Sequence, residues 1–366
     1  MPLPIAVLGG GLVGRLTAWQ LAKQGFQVAL FERGSRTGEQ SAAYIAAAML
    51  APLAEAVDAT PEVVTLGHQS TPLWREFIAQ LPEPVFMQQN GSLIVWHSQD
   101  KPLAIQFEQH LQRNNVEPTL PEHWHATDIA MHEPQLAGRF QKGLFLPTEG
   151  QLDNRQLLLA LAVGLEHTGV DCHWHSETDI DTLHQHFHWL IDCRGFGAQT
   201  DWNTSAGHQL RGVRGEVARV YAPEITLNRP VRLLHPRYPL YIAPKQNNIF
   251  VVGATQIESE DNSEVSVRSG LELLSALYAV HPAFGEAKIL ELASNLRPTL
   301  SHHNPEIRFH SGRRIIEING LFRHGFMISP AVTAAAVRLA TVLFNGDTPP
   351  TQDHTSGLLY IDLAIP

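Results

Sequence analysis

A chain of 366 residues, 44% hydrophobic and 17% charged, has ample apolar material for a large two-part globular enzyme and little resemblance to a disordered chain. Its formal net charge of -10, uninterrupted by any Lys/Arg run, disfavours the basic face that nucleic-acid phosphates or an anionic membrane surface demand. The N-terminus lacks the basic start and long apolar core of a secretory signal, no run of about 18 apolar residues suggests a membrane span, and two cysteines, Cys172 and Cys193, read as reduced thiols; a cytoplasmic protein is expected.

The first 32 residues spell strand, turn, helix, strand. Ile5-Ala6-Val7-Leu8 is a short continuous apolar run of the buried parallel-strand type, and the pattern turns helical after Gly11, with Leu12, Val13, Leu16, Trp19 and Leu21 apolar and Gly25 as the stop. Gln27 to Phe31 is the second strand. The small-residue stretch from Ser41 to Pro52 reads locally as a helix of good helix formers, and a second helix spans Pro61 to Leu81. Pro82 and Pro84 mark a change to strand-like text, Val85 to His97, where Asn90-Gly91 predicts a hairpin turn. Asp153 is the expected N-cap of a helix over Asn154 to His167. Strands follow at Val170 to His175 and His188 to Cys193, then Glu216 to Val220, Tyr241 to Pro244 and Ile249 to Ala254. An acidic loop, Glu258 to Glu264, precedes a helix over Arg268 to Val280; the chain closes with a strand at Ile315 to Leu321 and an alanine-rich helix from Ala331 to Leu343.

The strongest local signal is Gly9-Gly10-Gly11-Leu12-Val13-Gly14. It follows a strand and opens a helix, which is what makes a GxGxxG specific. Gly9 permits the tight turn, Gly11 admits a pyrophosphate to the backbone, and Gly14 lets helix and strand approach. Leu12 and Val13 open the helix whose free N–H groups favour the pyrophosphate charge. Glu32, at the end of the second strand with Arg33 beside it, is placed to accept hydrogen bonds from a ribose and disfavours a 2′-phosphate. These residues predict an adenine dinucleotide and leave NAD and FAD open. No second GxGxxG appears, so one dinucleotide is expected.

Taken together, Gly9-x-Gly11-x-x-Gly14, Glu32, Ala46-Ala47-Ala48-Met49-Leu50-Ala51-Pro52, Gly150-Gln-Leu-Asp153, Val252-Gly253-Ala254-Thr255, Arg297-Pro298-Thr299 and Phe322-Arg323-His324-Gly325 resemble the D-amino-acid oxidase superfamily of flavoproteins over essentially the whole chain. Within it the pattern is most similar to the glycine-oxidase branch linked to thiamine biosynthesis. The resemblance implies an α/β protein of two interleaved parts. A Rossmann-like FAD-binding domain would comprise residues 1–81, 145–213 and 297–366, and a substrate domain on a mainly antiparallel sheet residues 82–144 and 214–296.

It further implies non-covalent FAD. Ala43, Ala46, Ala47, Ala48 and Met49 would pass beside the flavin ring, Thr178 would approach the adenine side, and His324, Gly325, Phe326 and Met327 would present N–H groups to the flavin's carbonyl edge. Arg297 would lie near the flavin, Arg323 would grip a substrate carboxylate or share that task with Arg297, and Tyr241 would stand on the substrate side. The implied reaction is hydride transfer from the Cα of a small amino acid or amine to flavin N5, with O2 as acceptor and H2O2 as product; homo-oligomeric assembly is a further expectation. The rival readings are a D-amino-acid or N-methyl-amino-acid dehydrogenase passing electrons to a quinone or partner protein, and a flavin-binding protein without turnover. Ala48, Pro239 and Gln256 depart from the family's pattern and bear on the substrate. No cysteine follows Cys193, which argues against a covalent flavin attached late in the chain, and Cys193 itself reads as a packed core thiol. His173, His175, His184, His186 and His188 alternate in strand-like fashion, but no carboxylate or cysteine completes a ligand set, so no metal is expected.

Overall fold

The computed structural model describes residues 4–114, 116, 120–205, 207–236 and 240–363; Pro239 lies outside them. A seven-stranded sheet runs in the order Tyr360–Asp362, Glu306–His310, Ile315–Asn319, Trp189–Asp192, Ile5–Leu8, Val28–Glu32, Asp171–Trp174. Its central strands are parallel, with Ile5–Leu8 between Trp189–Asp192 and Val28–Glu32. Ile5–Leu8 and Trp189–Asp192 are buried along their whole length, which is why they read as unbroken apolar runs rather than alternating ones. Helix Leu12–Lys23 covers the sheet, packing against Asn154–His167 and against the long helix Gly325–Phe344. Asp153 caps Asn154–His167 as expected, its Oδ1 accepting from the N–H groups of Arg155 and Gln156.

The second sheet has eight strands, in the order Lys288–Leu300, Leu210–Tyr221, Ile249–Gly253, Leu240–Pro244, Val231–Leu234, Ser92–Trp96, Lys142–Leu146, Glu122–His125. It is antiparallel except where Val231–Leu234 runs parallel to Ser92–Trp96. Helix Val267–Val280 closes one face, burying Leu273, Ala276, Leu277 and Val280 with Val220, Ile242 and Val252. Strands Lys142–Leu146, Leu210–Tyr221 and Lys288–Leu300 stay in this sheet throughout, so divisions at 144/145, 213/214 and 296/297 fall inside strands. A small third sheet, Met49–Leu50, Gly150–Leu152, Met87–Gln88, lies beside the cavity described below.

Three local expectations are corrected by tertiary partners. Asn90-Gly91 does not close a hairpin: Met87–Gln88 pairs with Gly150–Leu152, Ser92–Trp96 pairs with Lys142–Leu146, and the turn carries the chain from one sheet to the other. Gly91 is still required there, since its φ is +82° and a Cβ would lie 2.2 Å from the Phe145 ring. Within the stretch from Ser41 to Pro52, Ala42–Ile45 forms a short helix and Pro52 opens the next one, Pro52–Glu55. Between them the backbone goes extended, turns left-handed at Ala48 (φ 52°) and enters strand Met49–Leu50. Local propensity loses because the carbonyls are claimed elsewhere: Ala43 and Tyr44 by Asn154 Nδ2, Ala47 by Lys245 Nζ, and Ala48 by the Leu152 N–H.

The last helix begins at Gly325, not after Pro330. Proline removes the N–H that would reach the Phe326 carbonyl one turn back, and the Trp74 indole N–H donates to that carbonyl instead, at 2.7 Å. This helix is also long and apolar enough, over Phe322–Phe344, to pass as a membrane span by composition (mean hydropathy 1.7), contrary to the reading of the sequence. Of its most apolar 18-residue window 78% is buried inside the protein, and the helix serves as the core helix between Leu12–Lys23 and Pro61–Ile78.

Candidate active site

The ends of the central parallel strands, the small-residue segment and one face of the second sheet enclose a single cavity of about 1090 Å³. Gly9, Gly11, Leu12, Val13, Glu32, Arg33, Ala43, Ala46, Ala47, Ala48, Met49, Thr178, Tyr241, Arg297, Arg323, His324, Gly325, Phe326 and Met327 all line it. Gly14 does not. It packs against the turn, where a Cβ would lie 1.8 Å from the Gly9 carbonyl oxygen.

At one end the chemistry suits a dinucleotide. Gly9 has φ +93° and donates to the Phe31 carbonyl, which sets the turn. Helix Leu12–Lys23 starts from Gly11 with no side-chain cap and no acidic residue in its first turn, so its terminal N–H groups and dipole are open to an anion. The Glu32 carboxylate accepts from the Gly10 N–H (2.5 Å) and the Gly34 N–H (2.6 Å), which fixes it at the strand end while leaving lone pairs for ribose hydroxyls. Ser176, Glu177 and Thr178 continue this wall after strand Asp171–Trp174.

The sequence reading missed Arg15. Wholly buried, it donates to the carbonyls of Gly10 (2.6 Å), Leu158 (2.5 Å) and Arg36 (3.0 Å) and fastens the glycine turn from behind. Burial lowers its pKa to about 10; the available clue was a charged residue on an otherwise apolar helix face.

At the other end stand the small residues and the start of helix Gly325–Phe344, which has no side-chain cap at His324 and follows directly on the 3-10 turn Phe322–His324. Tyr241 and Arg297 occupy the facing sheet. A Cβ at Gly215 would lie 2.3 Å from the Arg297 guanidinium carbon, so glycine there lets the side chain lie across the strand. Arg297 Nη1 donates to the Thr255 carbonyl at 3.0 Å, and burial lowers the guanidinium's pKa. Among the described residues no carboxylate pairs with it.

Arg323 is in the opposite condition. Its guanidinium forms ion pairs with Glu55 (2.8 Å) and Asp58 (3.1 Å), and its Nη1 donates to Gln256 Oε1 at 3.3 Å. Burial opposes the charge, but the two carboxylates outweigh it and raise the pKa. Glu55, absent from the sequence reading, also lies 3.2 Å from His324 Nδ1. Burial works against its ionisation, yet Arg323 and His324 hold it well below the usual carboxylate range. Gln256 thus serves as a partner of Arg323.

Cys193 sits under the glycine turn. Burial pushes its thiol up, and both cysteines are free. His173 stacks on Phe31 and pairs with Asp171, and His188 hydrogen-bonds Arg314. His208, His302 and Glu306 do converge, both rings reaching Glu306 Oε1 at 2.6 and 2.8 Å. His302 Nδ1 accepts from the Asn304 N–H, so its Nε2 carries the proton given to Glu306; the group is a hydrogen-bonded cluster in this geometry.

Glu149 is a further buried carboxyl on the cavity wall, hydrogen-bonded to Ser92 Oγ and to the Ala54 N–H. Burial raises its pKa to about 7 from 4.5. The folded state therefore holds a proton that the unfolded chain releases between those two values, and stability falls as pH rises through that window. The full effect is on the order of 3 kcal/mol. Glu149→Gln should flatten the decline of melting temperature between about pH 5 and pH 7; an unchanged slope would refute the assignment.

Comparison with known proteins decides the family. A model of the FAD-dependent oxidoreductase family DAO matches residues 4–339. The chain belongs to this family. A protein of Rhizobium etli, named as a thiamine biosynthesis oxidoreductase, is 40% identical over 334 residues, covering 91% of this chain and 95% of its own. The glycine oxidase of Geobacillus kaustophilus is 26% identical over 347 residues, 89% of each chain. A crystal structure of glycine oxidase from Geobacillus kaustophilus superposes with a TM-score of 0.81 at 22% identity, covering 98% of both chains. This DAO-family protein is an FAD-dependent oxidoreductase, and the open helix N-terminus, Glu32 and the small-residue wall fit that cofactor.

Proposed function

We propose that the protein oxidises a small amino acid such as glycine, with O2 as the electron acceptor and H2O2 as a product. The observation that carries this reading is Arg297, a half-buried guanidinium that faces the cavity beside Tyr241 with no carboxylate partner among the described residues. A partly desolvated cation of this kind is stabilised when an anion arrives, and a planar fork of donors recognises a carboxylate through two parallel hydrogen bonds. Arg323 is already neutralised by Glu55 and Asp58, so carboxylate binding falls to Arg297, with Tyr241 Oη as a second donor. Arg323 and His324 hold Glu55 at the start of the last helix and shape the pocket from the opposite side.

When bound, FAD would supply the two-electron acceptor for a hydride from the substrate Cα. The chain's own residues orient the reactants. Arg297 fixes the carboxylate and hence the direction of the Cα–H bond, and the small side chains of Ala46, Ala47 and Ala48 leave room for close approach. The N-terminal end of the dipole of helix Gly325–Phe344 favours the negative charge that accumulates on reduction. The overall balance is amino acid, O2 and water giving oxo acid, ammonia and H2O2. The glycine-oxidase name of the Geobacillus kaustophilus relative supports the substrate class. The Rhizobium etli name supports a place for the reaction in thiamine biosynthesis.

The test is anaerobic mixing of the yellow holoprotein with glycine, sarcosine and small D-amino acids, followed by the same substrates in air with peroxide detection. Bleaching of the flavin together with stoichiometric H2O2 is expected. Bleaching without peroxide, and turnover only with an artificial acceptor, would reassign the protein as a dehydrogenase. No bleaching by any amino acid or amine would sink the reading.

A further inference from the structure

Lys245 follows strand Leu240–Pro244, is 7% exposed and does not line the cavity. Its ammonium donates three hydrogen bonds, to the Ala47 carbonyl (2.8 Å), the Leu152 carbonyl (2.7 Å) and Gln151 Oε1 (2.9 Å). None of the three acceptors is a carboxylate, and burying a cation on neutral acceptors is costly; burial pushes the amine down to about 7. Three tetrahedral donors nonetheless do what an apolar side chain of the same volume cannot. They tie the end of the eight-stranded sheet, strand Gly150–Leu152 and the small-residue segment to one point.

The direction of the Ala47 bond has a consequence for the cavity. Ala47 and Ala48 line the wall, and Lys245 holds the Ala47 carbonyl from behind it. In a trans peptide the C=O and the following N–H point in opposite directions. Drawing the carbonyl back therefore turns the Ala48 N–H toward the cavity, and no acceptor for that N–H occurs among the described residues. The left-handed φ of 52° at Ala48 gives that peptide its orientation, and the Leu152 N–H donating to the Ala48 carbonyl holds the far side of the turn. A cationic donor on the carbonyl also polarises the peptide and makes its N–H a stronger donor.

We propose that Lys245 is a positioning residue of the flavin site, which from behind the wall holds the Ala47–Ala48 peptide so that the Ala48 N–H is presented to the bound flavin ring. The inference rests on FAD use alone and is independent of which amine is oxidised.

The experiment compares wild-type protein with Lys245→Met, each stripped of flavin and titrated with FAD. Readouts are the FAD dissociation constant, the visible absorption and circular dichroism of the bound flavin, and the melting temperature of the apoprotein. A positioning role predicts a dissociation constant raised tenfold or more and a flavin band and visible dichroism moved toward those of free FAD. The apoprotein should melt within a few degrees of wild type. Unchanged FAD affinity and an unchanged flavin spectrum overturn the proposal, as does an apoprotein destabilised as much as the holoprotein. If Lys245→Met does not fold, Lys245→Gln, which keeps a neutral donor, is read by the same criteria. Failure of both to fold would make Lys245 a structural knot and equally overturn the positioning role.

Discussion

Replacing Arg297 with Met is expected to abolish most substrate capture while leaving FAD bound. Two charge-assisted hydrogen bonds to a carboxylate contribute about 1.5–3 kcal/mol each, and each 1.4 kcal/mol is a factor of ten, so kcat/KM should fall about a hundredfold to ten-thousandfold. The loss should appear mainly in KM, because the interaction is present before hydride transfer as well as during it. Flavin content and the visible spectrum should stay near wild type, since Arg297 belongs to the second sheet and donates to the Thr255 carbonyl there rather than to the glycine turn or Glu32.

Arg323→Met is the informative contrast. It removes the guanidinium that lies 2.8 Å from the half-buried Glu55 carboxylate, so its first effect should be a lower melting temperature and a rise in the pKa of Glu55. If Arg323→Met raised KM as sharply as Arg297→Met with no loss of stability, the division of roles between the two arginines would be wrong.

The second large effect is expected at the glycine turn, where two substitutions of the same kind should fail in different ways. An alanine methyl at position 14 would lie 1.8 Å from the Gly9 carbonyl oxygen and 3.3 Å from the Cβ of Cys193. Backbone must move to admit it. Gly14→Ala should therefore destabilise even the apoprotein by about 3 kcal/mol or more, at the upper end of overpacking, and yield colourless protein. At position 11 the nearest atom to an added methyl is the Ser41 Cβ at 3.7 Å, an ordinary contact, so the folded apoprotein has room for it. Gly11→Ala should melt like wild type without flavin and lose FAD affinity selectively, because the methyl occupies space the pyrophosphate needs. Melting curves with and without FAD separate the two. Equal behaviour of the two variants would contradict the assignment of Gly14 to packing and Gly11 to the ligand.

Much of this was legible before any coordinates. The N-terminal βαβ unit, its glycines and Glu32 could be read directly because strand, turn, helix and ligand contact all lie within one short stretch of chain. The helix over Asn154–His167 was equally plain, since Asp153 announces it by a hydrogen bond to its own next residues. Arg297, Tyr241 and Arg323 were found as residues through the resemblance, and all three line the same cavity.

Tertiary structure decided the rest, and always through a partner distant in sequence. Asn90-Gly91 has hairpin chemistry, yet its flanking strands pair with the segment 142–152 and enter different sheets. The alanine-rich run has helical propensity, yet Asn154, Lys245 and Leu152 claim its carbonyls. Pro330 signals a helix start, yet Trp74 satisfies the carbonyl it frees and lets the helix begin at Gly325, at the cavity. Which arginine keeps its charge for a ligand depends on Glu55 and Asp58, which neutralise Arg323 and leave Arg297 unpaired among the described residues. Glycine spacing, caps and apolar periodicity are short-range and so visible in the sequence. The pairing of a carbonyl or a charge with a distant group depends on the assembled sheets, and the substrate end of the site is built almost wholly from such pairs.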